Sequence, residues 1–207
     1  GTNECDETFN LGLTNPSGCD NAGAAIAGAS ASATILDDDT VQITVTAPAP
    51  GTVTEDNAFT FRVTLDQASP QTVSVDYRTS DGTADSTTDY TTSSGTLNFS
   101  TGVTGLDVVV DTRNDGTNEC DETFNLGLTN PSGCDTAGAA IAGASASATI
   151  EDDDTVQITV AAPAPGTVTE GDSFTFRVSL DRIQAQTVSV DYRTSDSTAD
   201  STTDYMT

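Results

Sequence analysis

Phe59-Thr60-Phe61-Arg62-Val63-Thr64-Leu65 places an apolar side chain at every odd position and a polar one between. That period of two makes a strand with one dry face and one wet face. The pattern returns in Gln71–Thr79, where Val73, Val75 and Tyr77 share a face, and in Glu122–Asn130, where Phe124, Leu126 and Leu128 do. Further strands are expected at 41–45 with continuation near 51–54, at 95–99, at 105–112 and at 144–150. Seven half-apolar strands fit two antiparallel sheets packed face to face. No stretch carries a helical period. Ala137–Ala148 is rich in Ala but broken by Gly138 and Gly143, which predicts a loop leading into the last strand.

The same strands occur more than once. Gly1-Thr2-Asn3-Glu4-Cys5 recurs as Gly116-Thr117-Asn118-Glu119-Cys120, and the offset of 115 holds without a gap to the end, with 79 of the 92 comparable positions identical. A unit of that length is too long for a solenoid repeat and suits a whole domain. The chain therefore reads as an all-β tandem of immunoglobulin-like sandwiches. Residues 40–154 are one complete domain, 1–39 the last strands of a preceding one, and 155–207 the first strands of a following one. Asp152-Asp153-Asp154 runs straight into Thr155-Val156 with no Gly/Ser linker, so successive domains are expected to abut. Starting mid-repeat, the sequence reads as part of a longer polymer, and the lack of a signal peptide carries little weight.

Composition excludes several chemistries. There are 32 acidic residues, six Arg, and no Lys, His or Trp, for a net charge of −26. Nothing here replaces the counterions of a phosphate backbone, so nucleic acid and anionic membrane surfaces are not expected partners. No apolar run reaches membrane-spanning length. Without His there is no Ser-His-Asp triad and no His-ligated zinc; without Lys there is no Schiff base and no isopeptide staple. Paired carboxylates without Trp, and with only four Tyr, give no sugar platform for glycoside hydrolysis. The chain is not expected to be an enzyme. Asn98-Phe99-Ser100 is a glycosylation sequon that falls within an expected strand.

The carboxylates concentrate where the strand order brings loops together. Glu55 follows the first strand and Asp81 the third. Asp115 and Glu119 lie in the loop before the sixth strand, which Glu122 opens, and Asp152, Asp153 and Asp154 end the seventh. All of these fall at one end of the sandwich. Converging carboxylates on flexible loops, with no nitrogen or sulfur donors among them, suit Ca²⁺.

These residues carry a resemblance. Val53-Thr54-Glu55, then Val75–Ala84 with Asp89-Tyr90, then Asp115…Glu119-Cys120-Asp121-Glu122-Thr123-Phe124, then Ala148-Thr149-Ile150…Asp152-Asp153-Asp154 together resemble the Calx-beta domain. That family includes the calcium-binding regulatory domains of sodium–calcium exchangers and repeats of very large bacterial surface proteins. The resemblance implies Ca²⁺ at Glu55, Asp81, Asp115, Glu119, Asp152, Asp153 and Asp154, with Glu122 beside them. The loop before the sixth strand departs from the family's acidic pattern at Asn114, Gly116 and Cys120. The preceding domain would use Glu4, Glu7, Asp37, Asp38 and Asp39, and the following one Glu170, Asp172 and Asp196.

Near-identical tandem domains imply a structural role. The expectation is a segment of an extracellular, cell-surface repeat protein of bacterial type, an adhesin stalk or filament. Calcium would stiffen it, and its partners would be neighbouring domains of the same polymer or neighbouring chains. The alternative is a calcium-sensing regulatory module. The four cysteines add a covalent expectation. Their spacing is not a metal or redox pattern, and they read as extracellular cystines. Cys120 precedes the sixth strand and Cys134 follows it, so roughly 30 Å at ~3.3 Å per residue separates them, against the ~7 Å between Cα atoms that a disulfide allows. In an end-to-end string, Cys5 is expected to bond Cys134 across the junction, with Cys19 and Cys120 joined to partners outside this chain. Bonds between neighbouring chains and free thiols are the alternatives.

Overall fold

The structure is a computed structural model that describes residues 4–18, 23–133, 138–184 and 186–206. Its strands are β1 (Glu7–Gly12), β2 (Ser30–Ile35), β3 (Val41–Thr46), β4 (Thr52–Thr54), β5 (Ala58–Leu65), β6 (Val73–Asp81) and β7 (Ser94–Phe99). They continue with β8 (Gly105–Asp111), β9 (Glu122–Ser132), β10 (Ala139–Gly143), β11 (Ser145–Glu151), β12 (Ile158–Ala161) and β13 (Arg177–Leu180). β3 to β11 build the central unit as two sheets, ordered β10-β3-β5-β8 and β4-β11-β9-β6-β7. β1 pairs with β2, and β12 with β13, as separate hairpin-like pairs.

The alternation in β5 does what its period dictates. Phe59, Phe61, Val63 and Leu65 are all buried, and they meet Val73 and Val75 of β6 and Phe124, Leu126 and Leu128 of β9 in one core. Phe124 sits at its centre, with ring centroids 5.5 Å from Phe59, 5.8 Å from Phe61 and 4.5 Å from Tyr90. Tyr77 is half-buried against the same core.

The first and last strands each divide between the two sheets. β3 and β4 are separated by a crossover containing Pro48 and Pro50, and β10 and β11 by Ala144. Here the structure corrects the sequence reading, because Ala139–Gly143 is a strand and not a loop. β10 runs parallel to β3, with Ile141 opposite Ile43 and a register shift before Gly143. Ala139 and Ile141 pack on the core, so burial overrides the weak strand preference of Ala and Gly. Gly143 is needed there: a Cβ would lie 2.6 Å from Thr44 Cγ2. The parallel pairs β3–β10 and β4–β11 join the beginning of the unit to its end.

Register fixes which loops share an end. Asp81 at the end of β6 pairs with Phe124 near the start of β9, Ile150 of β11 with Glu122, and Glu151 with Thr54. Glu55, the 82–93 loop, the 112–121 loop and Asp152–Asp154 therefore meet at one end of the sandwich. Of the cysteines, Cys5 is disulfide-bonded, and Cys120 is a free, exposed thiol. Cys19 and Cys134, on which the expected pairing with Cys5 depends, lie outside the described residues.

Candidate metal centre

Two carboxylate triads occupy that end. Glu55, Asp152 and Asp154 each bring an oxygen within 4.8 Å of the others, and so do Asp89, Glu119 and Glu122. β4 carries Glu55 to the end of the sheet, where its amide donates to the Glu151 carbonyl at 3.2 Å. Asp152 and Asp154 follow β11. The two triads are stitched together, because the Glu119 amide donates to Asp152 Oδ2 at 3.1 Å. Asn118 Nδ2 donates to the same oxygen at 3.0 Å, and the Asp154 amide to Asp152 Oδ1 at 3.2 Å.

The site is short of positive charge. Burial pushes the Glu55 carboxyl up to about 7, helped by the negative charges of Asp152, Asp115, Asp154 and Asp153. Burial likewise raises Glu122 to about 7, with a hydrogen bond to Asp89 and the charges of Asp89, Glu119 and Glu55 adding to it. Glu119 is raised by burial and by Asp89, Asp115 and Asp152. Among the described residues, Glu55 Oε2 and Asp154 Oδ2 are buried side-chain oxygens with no hydrogen-bond partner. Both belong to the first triad. A buried carboxylate oxygen without a donor is costly, and a hard divalent cation with oxygen ligands removes that cost. The donor set fits Ca²⁺ on this observation.

The sequence-expected residues separate into groups. Glu55, Asp152 and Asp154 come together, and Glu119 and Glu122 form the second triad with Asp89. Asp115 and Asp153 are exposed beside the triads without joining them. Asp115 accepts from the Thr117 amide at 2.8 Å, and Asp153 from Asn114 Nδ2 at 3.5 Å. Asp81 is turned elsewhere: it accepts the Tyr90 hydroxyl and, at 3.1 Å, the Ser86 amide.

Asp89 was not among the expected ligands. It sits in a turn in which its Oδ2 accepts the Asp85 amide at 2.6 Å, while its own carbonyl accepts the Arg113 amide at 2.8 Å. Asp89 is itself buried, and it precedes the fully buried Tyr90. That neighbour was the available signal: an aromatic anchored in the core fixes where the preceding side chain can go. Gly82 allows the loop to lie this close, since a Cβ there would be 2.3 Å from the Thr123 carbonyl oxygen.

The site is also a junction. Arg182, from the following unit, donates to the Gly116 carbonyl at 2.8 Å and to Asp154 Oδ1 at 2.7 Å. Gln184 bridges to Asn118. In the preceding unit the same local bonds recur: the Glu4 amide donates to Asp37 Oδ2 at 3.0 Å and the Asp39 amide to Asp37 Oδ1 at 3.4 Å. Asp37, Asp38 and Asp39 form a third carboxylate group there.

Fold and site define a class: a β-sandwich binding module with an acidic pole, present in tandem. The chain belongs to the Calx-beta domain family, whose model matches residues 37–154 and again residues 151–207. Calx-beta domains are calcium-binding modules, not catalysts. Among solved structures, the apo-form Calx CBD1 domain aligns at 31% identity over 56% of this chain and 100% of its own, with a TM-score of 0.45. CBD12 from CALX1.2 aligns at 31% identity over 57% of this chain, with a TM-score of 0.49, and this chain spans 49% of its length. The structure described as calcium binding domain CBD12 of CALX1.1 aligns at 31% identity over 56% of this chain and 49% of its own, with a TM-score of 0.48. A search of curated proteins finds no match.

Proposed function

We propose that this chain is a rigid spacer: a segment of a long extracellular, cell-surface repeat protein of bacterial type, serving as an adhesin stalk or filament. Ca²⁺ held by Glu55, Asp152 and Asp154, and by Asp89, Glu119 and Glu122, stiffens each junction. Its partners are the neighbouring domains of the polymer. One observation carries the reading most: two buried oxygens without a donor, Glu55 Oε2 and Asp154 Oδ2, belong to one triad at a linker-free boundary between near-identical units. A cation there neutralises the end of one unit and fixes the chain where it enters the next. The cystine between Cys5 and Cys134 is proposed to add a covalent brace across the preceding junction, and peptide mapping without reductant reads it out directly.

Calorimetric titration with Ca²⁺ tests the site, and small-angle scattering of the titrated protein tests the spacer. Binding together with a longer, stiffer particle supports the proposal. No heat and no melting shift at millimolar Ca²⁺ would sink it. A calcium-sensing module is distinguished by the affinities of successive units: a spacer gives equal ones, whereas a sensor has one tight and one loose site.

A further inference from the structure

Asp is followed by Gly twice in the chain, at Asp81-Gly82 and at Asp115-Gly116, and Asn never is. This dipeptide carries a reaction of its own. Glycine puts no Cβ in the way of its amide nitrogen and lets the backbone turn onto the preceding side chain. The nitrogen attacks the aspartate Cγ and loses its proton, and the carboxyl hydroxyl leaves as water. The five-membered succinimide that results takes water back at either carbonyl. Addition at Cγ restores aspartate. Addition at the main-chain carbonyl leaves the chain running through the β-carboxyl, as isoaspartate. The atoms balance with no oxidant, reductant or co-reactant.

The structure treats the two pairs differently. Asp81 closes β6, opposite Phe124 of β9. Its carboxylate is drawn into the following loop, where it accepts the Tyr90 hydroxyl, the Ser86 amide at 3.1 Å and the Ser86 hydroxyl at 3.5 Å. Gly82 has no room beside it, since one added carbon would lie 2.3 Å from the Thr123 carbonyl oxygen. Asp115 is exposed and lies outside any strand. Its Oδ1 accepts the amide of Thr117, the residue after Gly116, at 2.8 Å. That bond folds the carboxyl back over the Gly116 peptide and draws electron density from Cγ, which makes the carbon a better electrophile. Gly116 has a φ of 75°, and a Cβ there would meet nothing nearer than Asp154 Oδ2 at 4.0 Å. A ring has space to form.

We propose that Asp115 isomerises spontaneously to isoaspartate and that the conversion loosens the junction beside it. Arg182 spans the Gly116 carbonyl and Asp154 Oδ1, at 2.8 and 2.7 Å. Isoaspartate adds one carbon to the main chain directly before Gly116, so that carbonyl moves from the place where one guanidinium reaches both acceptors. Two residues on, Asn118 Nδ2 donates to Asp152 Oδ2 and to the Asp154 carbonyl, so the displacement runs into the same junction. The contact between units therefore ages.

The intact chain, held in chelator at physiological temperature and sampled over weeks, tests this. Labelling by an isoaspartyl methyltransferase detects the product, and electron-transfer fragmentation places it. Folded protein should accumulate isoaspartate at 115 and none at 81, whereas chain held in denaturant should form it at both. Asp115→Glu keeps the charge but would have to close a larger ring, and it should abolish the signal at 115. Spin labels either side of the junction should show a broader distance distribution in aged protein than in fresh, and no such change in aged Asp115→Glu. Folded protein that forms none at 115, or forms it equally at 81, overturns the proposed site. Isoaspartate at 115 with an unchanged distance distribution overturns the effect on the junction. Neither readout involves Ca²⁺, so the inference stands or falls apart from the calcium reading.

Discussion

The surroundings of Glu55 and Glu122 raise the pKa of both acids, and this sets a pH response. Their folded values of about 7 lie above the ordinary 4.5. Between those values the unfolded chain has released protons that the folded one keeps, so rising pH disfavours folding across that window. The metal-free melting temperature should therefore fall from about pH 4.5 to about pH 7 and level off beyond, and Ca²⁺, which displaces the protons, should abolish the fall. Calorimetry at several pH values, with and without Ca²⁺, checks this. Glu55→Gln should raise the metal-free melting temperature at pH 7 and weaken Ca²⁺ binding at least tenfold, about 1.4 kcal/mol. Asp89→Asn should weaken binding similarly. Asp81→Asn should leave binding nearly intact but cost roughly 1–2 kcal/mol of stability through the Tyr90 bond; titration of the three variants separates them. Beyond the Asp89-Tyr90 neighbourhood, the difference between Asp81 and Asp89 was not legible in the sequence. Both follow a strand or turn at plausible positions, and only the packing of Tyr90 against Phe124 turns one carboxylate to the phenol and the other to the site.

At the scale of elements, alternation was a sufficient guide where side chains are large. The patterns of β5, β6 and β9 told correctly which face is dry, because Phe, Val and Leu at period two admit one arrangement. It failed for β10, whose Ala-Ala-Ile-Ala-Gly carries almost no signal and whose partner β3 lies far away in sequence. Strand formation here is decided by the neighbour, not by the residues themselves. Two substitutions probe these elements by chemical denaturation. Phe124→Ala should cost about 3–5 kcal/mol, since it empties the point where three aromatic rings converge. Gly82→Ala should cost roughly 1–3 kcal/mol, since its methyl must displace the Thr123 carbonyl.

Across the whole molecule, the junctions are not alike. Arg182 ties the following unit to Asp154 and Gly116, but its counterpart in the central unit is Gln67. The second junction therefore has a protein cation where the first has a neutral amide. Arg182→Gln should loosen the second junction in chelator, seen as a broader distance distribution between spin labels placed either side of it. Its effect on stability should stay below about 1 kcal/mol, as for a partly exposed ion pair. If Ca²⁺ stiffens the junction as proposed, the two distributions should converge when it is added.

The parallel pairing of β3 with β10 and of β4 with β11 has a mechanical consequence. Pulling on the chain draws β3 and β4 one way and β10 and β11 the other, along their shared axis. The bonds of each parallel pair are then loaded together in shear, instead of being peeled one at a time. A unit anchored this way resists tension more than its melting point suggests, because rupture under load follows the unfolding barrier and not the equilibrium. If the chain serves as the proposed stalk, it would hold its length until a whole ladder gave way, and then release slack one unit at a time.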